Sequence, residues 1–531
     1  MSSCENPNTD KDALMTRRQK FDGKTKICIK CKENQGSIVV RYAVYCKSCF
    51  FPLVQTRFRK TLEPTINPTP DGPRRKALKA GGSLALGLSG GTNSTALLDL
   101  VAKTYYASRS AEDDTGKGKI RGGTEHPRNS ETVWKGRPAV CYVEVCGAFP
   151  TEEDRIESIR NIVNRYTDAN FEFVPLRLED AFDPSWWQSI GGGDLTTSAR
   201  SLGLALTNED LLLVDATPQC TSLEALRAYL ASLPTKTAFY SAIQILIRLL
   251  LLHTAAARKA SHLLLGTSLT SLSINLISGI AQGAGFAVAA EAKEEWTPRL
   301  DSSSSTIRVI RPLRDVGMKE CAIWNWWCGV PVAGKCRSMY GGGASAIGAL
   351  TRDFIVGLET DYPATVSTIA RTCSKLSPKE GIHSVCILCE RPAQYGIQEW
   401  KAQISIRSYH NASGAVTGNT RPPHLSEDEI ASLTKSDPYD SSSSSPLHSL
   451  TPHLCYACHT LLTSRSSRGT AALTSAQESD KVTLPLWTRS TLDHLNQHHA
   501  SATSISSLPK WKMSQSEMRE QIKDFLLPDE G

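Results

Sequence analysis

The sequence predicts an α/β protein, a doubly wound parallel sheet carrying a cysteine-rich module at each end. Three observations predict it. Strand-like and helix-like segments alternate from about residue 78 onward. The first strand runs into a Ser-Gly-Gly turn that opens a helix. Four C-x-x-C pairs flank the alternating region, two before it and two after it. Such alternation means a parallel sheet with helices on both faces and right-handed crossovers.

The elements follow in order. Residues 1–62 form a basic N-terminal cysteine module, and 63–77 a proline-rich linker reading EPTINPTPDGP over 63–73. Within an α/β domain over 78–345, the pattern gives strands at 83–88, 138–145, 171–176, 261–267 and 306–313. Helices fall at 94–106, 152–166, 238–258 and 271–283. In the second helix Ile156, Ile159, Ile162 and Val163 share one side. Polar or mixed inserts interrupt this domain near 108–137 and 190–235. Residues 346–531 form a C-terminal cysteine region whose stretch near 402–450 reads as a polar insert.

The chain has 531 residues, 40% of them hydrophobic, enough for two to four units with at least one sizeable core. Residues 1–80 hold 17 lysines and arginines against 7 acids, a net +10, so the other 451 residues carry −3 of the chain's +7. A basic arm on a near-neutral body points to a polyanion such as RNA, or simply to a solvated lysine-rich arm. The first twenty residues lack an apolar run. The longest apolar stretch, 242–257, is broken by Gln244 and Arg248 and is too short for a bilayer about 30 Å thick. The expectation is a cytoplasmic protein without a membrane partner.

Cys28-x2-Cys31 and Cys46-x2-Cys49 are separated by fourteen residues that can form a hairpin. Two such knuckles place four thiolates at tetrahedral corners, the arrangement zinc prefers. Cys386-x2-Cys389 and Cys455-x2-Cys458 make a second set across a gap of 65 residues. A long polar insert costs little in loop entropy, about 0.6 kcal/mol per doubling of length. Two zinc ions are expected. His383, His453 and His459 flank the second set, but with four thiols available they read as ordinary exposed histidines. Cys141 and Cys146 read as small buried hydrophobes. His494, His498 and His499 read as one face of a surface helix.

The turn Ser89-Gly90-Gly91 points backbone N–H groups, and the start of a helix, at whatever sits at the strand's tip. Ser89 and Ser94 can add hydroxyl hydrogen bonds. No Gly-Lys-Ser/Thr follows, so this is not a Walker loop. Taken alone, the turn fits a phosphate cradle and an unliganded strand-to-helix turn equally well.

Residues 89–94 resemble the Ser-Gly-Gly-x-Asp-Ser signature of the pyrophosphatase-loop ATPases, with Asn93 where that family's acid sits. The N-terminal ribbon, this loop, LLLGTSLTSLSINLISGIAQG at 263–283, VIRPLRDVGMKE at 309–320 and the late C-x-x-C pairs occur in one order. In that order they resemble the cytoplasmic tRNA 2-thiolation protein 2 family, over roughly 25–105, 138–180, 238–340 and 380–490. In the catalytic sister subunit the matching place for 266–271 is Gly-His-Asn-x-Asp-Asp. Here it reads Gly-Thr-Ser-Leu-Thr-Ser, without either acid. Nor does a C-x-x-C lie between Cys49 and Cys386, where the sister carries its sulfur-handling cysteines.

The resemblance implies a pyrophosphatase-loop fold with a degenerate loop at Ser89, Gly90, Gly91 and Ser94, and no catalytic residue of its own. It implies a heterodimer with the catalytic thiolation subunit, tRNA as partner, and sulfur supplied to the complex by a thiocarboxylated ubiquitin-related modifier. Arg57, Arg59, Lys60, Arg74, Arg75, Lys76 and Lys79 are candidates for tRNA phosphate contacts. Two other readings stay open: an ATP-dependent tRNA-adenylating enzyme in its own right, and a zinc-ribbon RNA-binding scaffold unrelated to thiolation.

Overall fold

The computed structural model describes residues 26–66, 78–106, 133–192, 201–205, 211–216, 221–291, 294–297, 306–334, 346–376, 384–394, 397, 450–463, 481–488 and 491–492. Arg74, Arg75, Lys76, His383, His494, His498, His499 and nearly all of the 402–450 insert lie outside the described residues.

Strands β1 (Ile38–Val40) and β2 (Ala43–Tyr45) form the expected antiparallel hairpin between the first two knuckles. Helix α1 (Lys47–Ile66) starts at the second knuckle. Its Phe50, Val54, Phe58, Leu62 and Ile66 recur every four residues and are fully buried. That stripe joins the core on one face of the central sheet. The cysteine hairpin is thereby anchored to the α/β body through α1.

The body contains β3 (Ser83–Gly87), α2 (Thr92–Val101), β4 (Ala139–Glu144), α3 (Ile156–Asn164), β5 (Glu172–Arg177) and α4 (Pro184–Ser189). It continues with β6 (Ser201–Ala205), β7 (Leu212–Ala216), α5 (Ser222–Ala231), α6 (Lys236–Ala257), β8 (Ala260–Leu265), α7 (Leu269–Ala281), β9 (Glu294–Trp296), β10 (Ile307–Ile310) and α8 (Met318–Cys328). The central sheet has the order β5-β4-β3-β8-β10-β9. The first five strands are parallel, as the alternation predicts. Successive residues alternate faces: Leu84, Leu86, Val140 and Tyr142 pack with α1, α2, α3 and α8. Ala85, Ala139, Cys141 and Val143 pack with α6 on the other side. The chain moves outward from β3 to β5 and then returns to β8 on the opposite side. The switch point therefore lies between the carboxyl ends of β3 and β8, where folds of this kind place ligands.

Two features depart from the sequence expectation. The edge strand β9 pairs antiparallel with β10, so the sheet is not wholly parallel. Ten residues join them, fewer than a parallel crossover needs. The 190–235 insert contributes β6 and β7, which pair antiparallel with β13 (Lys481–Thr483) from the C-terminal region. Helix α6, at 22 residues, is longer than the apolar stretch within it. It passes a length and hydropathy test for crossing a bilayer, yet it lies against the sheet with its apolar side chains in the main core.

Helices α9 (Ile347–Asp361) and α10 (Pro363–Cys373) pack on α7 in a smaller cluster around Leu272, Leu276, Ile355 and Val366. The short hairpin β11 (Ser384–Val385) and β12 (Pro392–Ala393) carries the third knuckle, and α11 (Tyr456–Thr463) begins in the fourth.

Candidate metal centres and a neutral glycine turn

The first and third knuckles make the same turn. Lys32 N donates to Cys28 O at 2.9 Å, and Glu390 N donates to Cys386 O at 2.8 Å. Lys32 and Glu390 then adopt φ +58° and +51°, a left-handed conformation that non-glycine residues take up when their surroundings impose it. The second and fourth knuckles open helices: Phe50 N donates to Cys46 O at 3.0 Å, and His459 N to Cys455 O at 2.9 Å. The four sulfurs of each set lie within 4.8 Å of one another. The 65-residue gap between the late pairs is thus closed in space.

Both sets fit a tetrahedral ion. Metal–sulfur bonds of about 2.3 Å give tetrahedral sulfur–sulfur edges of about 3.8 Å. The separations Cys31–Cys46 and Cys389–Cys455 are 3.7 and 3.8 Å. Electrostatics agree. Burial opposes ionisation of Cys28, but backbone N–H groups of Cys31, Cys46 and Lys30 outweigh it and hold the thiol at about 6. Burial and the neighbouring thiols push Cys49 up to about 12. In the second set Cys386, Cys455 and Cys458 hold Cys389 well below the usual thiol range. Cys455 and Cys458 are themselves pushed well above it by the neighbouring cysteines, Cys386 first. One thiolate forms at the expense of its neighbours, and a divalent cation would supply the missing positive charge.

The second set rests on a buried ionic network. Arg248 donates to Cys389 O at 2.7 Å and pairs with Glu294. Arg311 pairs with Glu291 at 3.0 Å, and Arg391 pairs with the same carboxylate. Burial alone would raise the Glu291 carboxyl, but Arg391, Arg311 and Arg248 outweigh it and hold it at about 2. Trp296 Nε1 donates to Glu390 at 2.7 Å, and His253 Nε2 lies 3.4 Å from the same carboxylate. Arg248, which in the sequence only interrupts an apolar helix, is a member of this network. His459 is buried at 3% exposure, which corrects its reading as a surface histidine. His453 is half-buried. Cys141 is fully buried as expected, whereas Cys146 is partly exposed.

The glycine turn sits at the switch point. Gly90 adopts φ +73°, where a Cβ would meet Ile159 Cδ1 at 2.5 Å. Ser89 N donates to Ser94 Oγ at 3.2 Å, and Ser94 Oγ donates to Gly91 O at 3.0 Å. The 266–271 segment closes directly on the turn: a Cβ on Gly266 would stand 2.4 Å from Ser94 Cα. Asn93, 4% exposed, donates to Ser268 Oγ and Ser271 Oγ, both at 3.0 Å. Ser268 Oγ donates to Ser271 Oγ at 3.1 Å. Among the described residues no carboxylate bonds Asn93, Ser268 or Ser271, although Thr270 Oγ1 of the same segment donates to Glu359 at 2.9 Å. Residues 333–334 lie over the turn, with Gly334 N donating to Gly90 O at 3.1 Å. Asn325 Nδ2 donates to Thr92 O at 2.8 Å. The sequence signals for 333–334 and Asn325 were absent, since neither carries a motif.

The candidate phosphate contacts are unequal. Arg57 pairs with Glu320 at 2.9 Å and so joins α1 to α8. Arg59 pairs with Glu63 at 2.5 Å on an exposed face. Lys60 and Lys79 are exposed.

A doubly wound sheet with a neutral Ser-Gly-Gly turn at its switch point, flanked by two four-cysteine sets, defines an α/β protein with two candidate metal centres. The family model for cytoplasmic tRNA 2-thiolation protein 2 matches residues 346–460. Curated proteins of that name are similar along most of the chain. The one from Danio rerio is 26% identical over 414 residues, covering 72% of this chain and 75% of its own. That from Xenopus tropicalis is 26% identical, covering 75% and 78%. That from Homo sapiens is 25% identical, also covering 75% and 78%. The chain is thus similar to cytoplasmic tRNA 2-thiolation protein 2 over most of its length, in line with the resemblance of its ordered motifs. Among solved structures, the U34-tRNA thiolase NcsA from Methanococcus maripaludis, with its 4Fe–4S cluster, aligns at 16% identity and a TM-score of 0.41. The alignment covers 68% of this chain and 90% of that one.

Proposed function

We propose that this chain is a subunit required for 2-thiolation of the wobble uridine in cytoplasmic lysine, glutamate and glutamine tRNAs. It serves as tRNA-binding and structural partner of a catalytic thiolase in the cytoplasm. A thiocarboxylated ubiquitin-related modifier brings sulfur to the complex. The observation that carries the non-catalytic role is the cluster of Asn93, Ser268 and Ser271. Adenylating a uridine requires a magnesium ion on the polyphosphate, normally held by carboxylates. This cluster offers amide and hydroxyl groups, already bonded to one another.

Each cysteine set holds one zinc ion, and the ions act by fixing the fold. Arg59, Lys60, Arg74, Arg75, Lys76 and Lys79 take tRNA phosphates, while Arg57 is engaged by Glu320. The test is the 2-thiouridine content of tRNA from cells lacking the chain. Loss of thiolation is expected, and normal thiolation would end the reading. Titration of ATP into the isolated chain addresses the rival enzyme. Little or no magnesium-dependent heat is expected, and tight binding would favour the rival.

A further inference from the structure

Helix α8 carries three tryptophans with different surroundings. Trp324 is buried and donates to Asp99 at 2.8 Å. Trp327 packs edge-on against Phe50 of α1, with centroids 5.2 Å apart. Trp326 is 76% exposed, more than any other large apolar side chain among the described residues. Its ring stacks on Trp327, with centroids 6.3 Å apart and an interplanar angle of 29°. The exposed indole is thus backed by a second ring that is itself fixed against α1. Lys47 Nζ lies 5.9 Å from the Trp327 ring, and among the described residues no ion pair engages it. The segment that meets this corner is basic: residues 26–66 hold eight lysines and arginines against two acids.

We propose that Trp326 is a stacking platform for an unpaired base of bound RNA, with Lys47 contacting the adjoining phosphate. The proposal deepens the function proposed above and rests on its tRNA-binding part. A pre-positioned indole offers a π-face to any base at little ordering cost, and a lysine beside it suits the backbone. The basic surroundings favour a polyanion over an apolar protein surface. The base must be unpaired, because stacked bases inside an RNA duplex do not offer a free face.

The test measures binding of the full, metal-loaded chain to three RNAs: an unmodified tRNA, a single-stranded RNA of its anticodon-loop sequence, and a duplex. Trp326→Ala is expected to weaken tRNA and single-strand binding about tenfold and leave duplex binding unchanged. Trp326→Tyr keeps a ring and is expected to stay within about threefold of wild type. Lys47→Ala is expected to reduce the salt slope of single-strand binding by about 0.7. Metal content and thermal transitions of the variants should match wild type, since Trp326 and Lys47 are exposed. Unchanged single-strand affinity in Trp326→Ala would overturn the platform, as would an equal loss in Trp326→Tyr. Retained RNA affinity with loss of a co-purifying protein would make the residue a protein contact instead. If wild type binds none of the three RNAs, the tRNA-binding part of the proposed function fails with it. If wild type binds and Trp326→Ala binds equally, only the platform fails.

Discussion

Cys28–Cys31 and Cys386–Cys389 fold through one and the same turn, closed by the residue after the second cysteine in a left-handed conformation. Beyond that turn the two sets part. In the first, fourteen residues and a three-rung hairpin bring the next knuckle round, and Cys31 and Cys49 remain partly exposed. In the second, 65 residues intervene, all four cysteines are buried, and they belong to the main core with α6 and the small β6–β7–β13 sheet. Spacing within a pair fixes ligand geometry. What a bound metal ion would staple together depends on the distance between pairs. The first set anchors a local hairpin to α1, and the second joins remote parts of the chain.

Losing a ligand should separate the two most clearly. Cys455→Ser is expected to cost more than about 4 kcal/mol and to prevent cooperative folding of the main core. Cys31→Ser should leave that core folded and lower bound zinc from two ions to one. Thermal unfolding with metal analysis reads both, and equal damage from the two variants would erase the distinction. Next comes the buried ionic network beneath the second set. Glu291→Gln leaves Arg311 and Arg391 short of a partner, at a cost of about 3–5 kcal/mol in denaturant unfolding. Glu291 is held at about 2 against an ordinary 4.5, so its contribution is complete above pH 4.5 and lost as pH falls through 2. The variant should lack that part of the acid slope.

Chelation sharpens the contrast kinetically. A strong chelator should remove zinc in two phases, one equivalent from the partly exposed set and a slower one from the buried set. A single phase would count against the difference in burial. The smallest effect is expected at the glycine turn. Gly90→Ala forces a side chain into φ +73° and against Ile159, at about 1–3 kcal/mol. Thiolation should fall no further than the loss of folded chain explains.

Much of this was legible in the sequence because the signals are local. Strand and helix periods located β3, β4, β5, β8, β10, α2, α3, α6 and α7 to within a few residues. C-x-x-C spacing located all eight cysteines of the two sets. Asn93 and the 266–271 segment were each read as places where an acid is missing, and the structure brings Asn93 to hydrogen-bonding distance of Ser268 and Ser271. The rest depends on contacts between distant residues. The pairing of Lys481–Thr483 with Gly203–Ala205 leaves no mark in either segment. Nor does the short β9–β10 connection advertise its direction until the edge position is known. Arg248 looked like a polar interruption because its partners, Glu294 and the carbonyl of Cys389, lie 46 and 141 residues away. Trp326 carries no sequence signal, and only packing shows that it faces outward.

The central claim is that this chain supplies structure and RNA binding while another chain performs the chemistry. Its most direct test is the 2-thiouridine content of tRNA in cells whose own copy is replaced by Ser89→Ala/Thr92→Ala, which strips hydroxyls from the turn without disturbing Gly90. The account predicts thiolation restored to the wild-type level. A folded, zinc-loaded double variant that fails to restore it would contradict the account and return the chemistry to this loop.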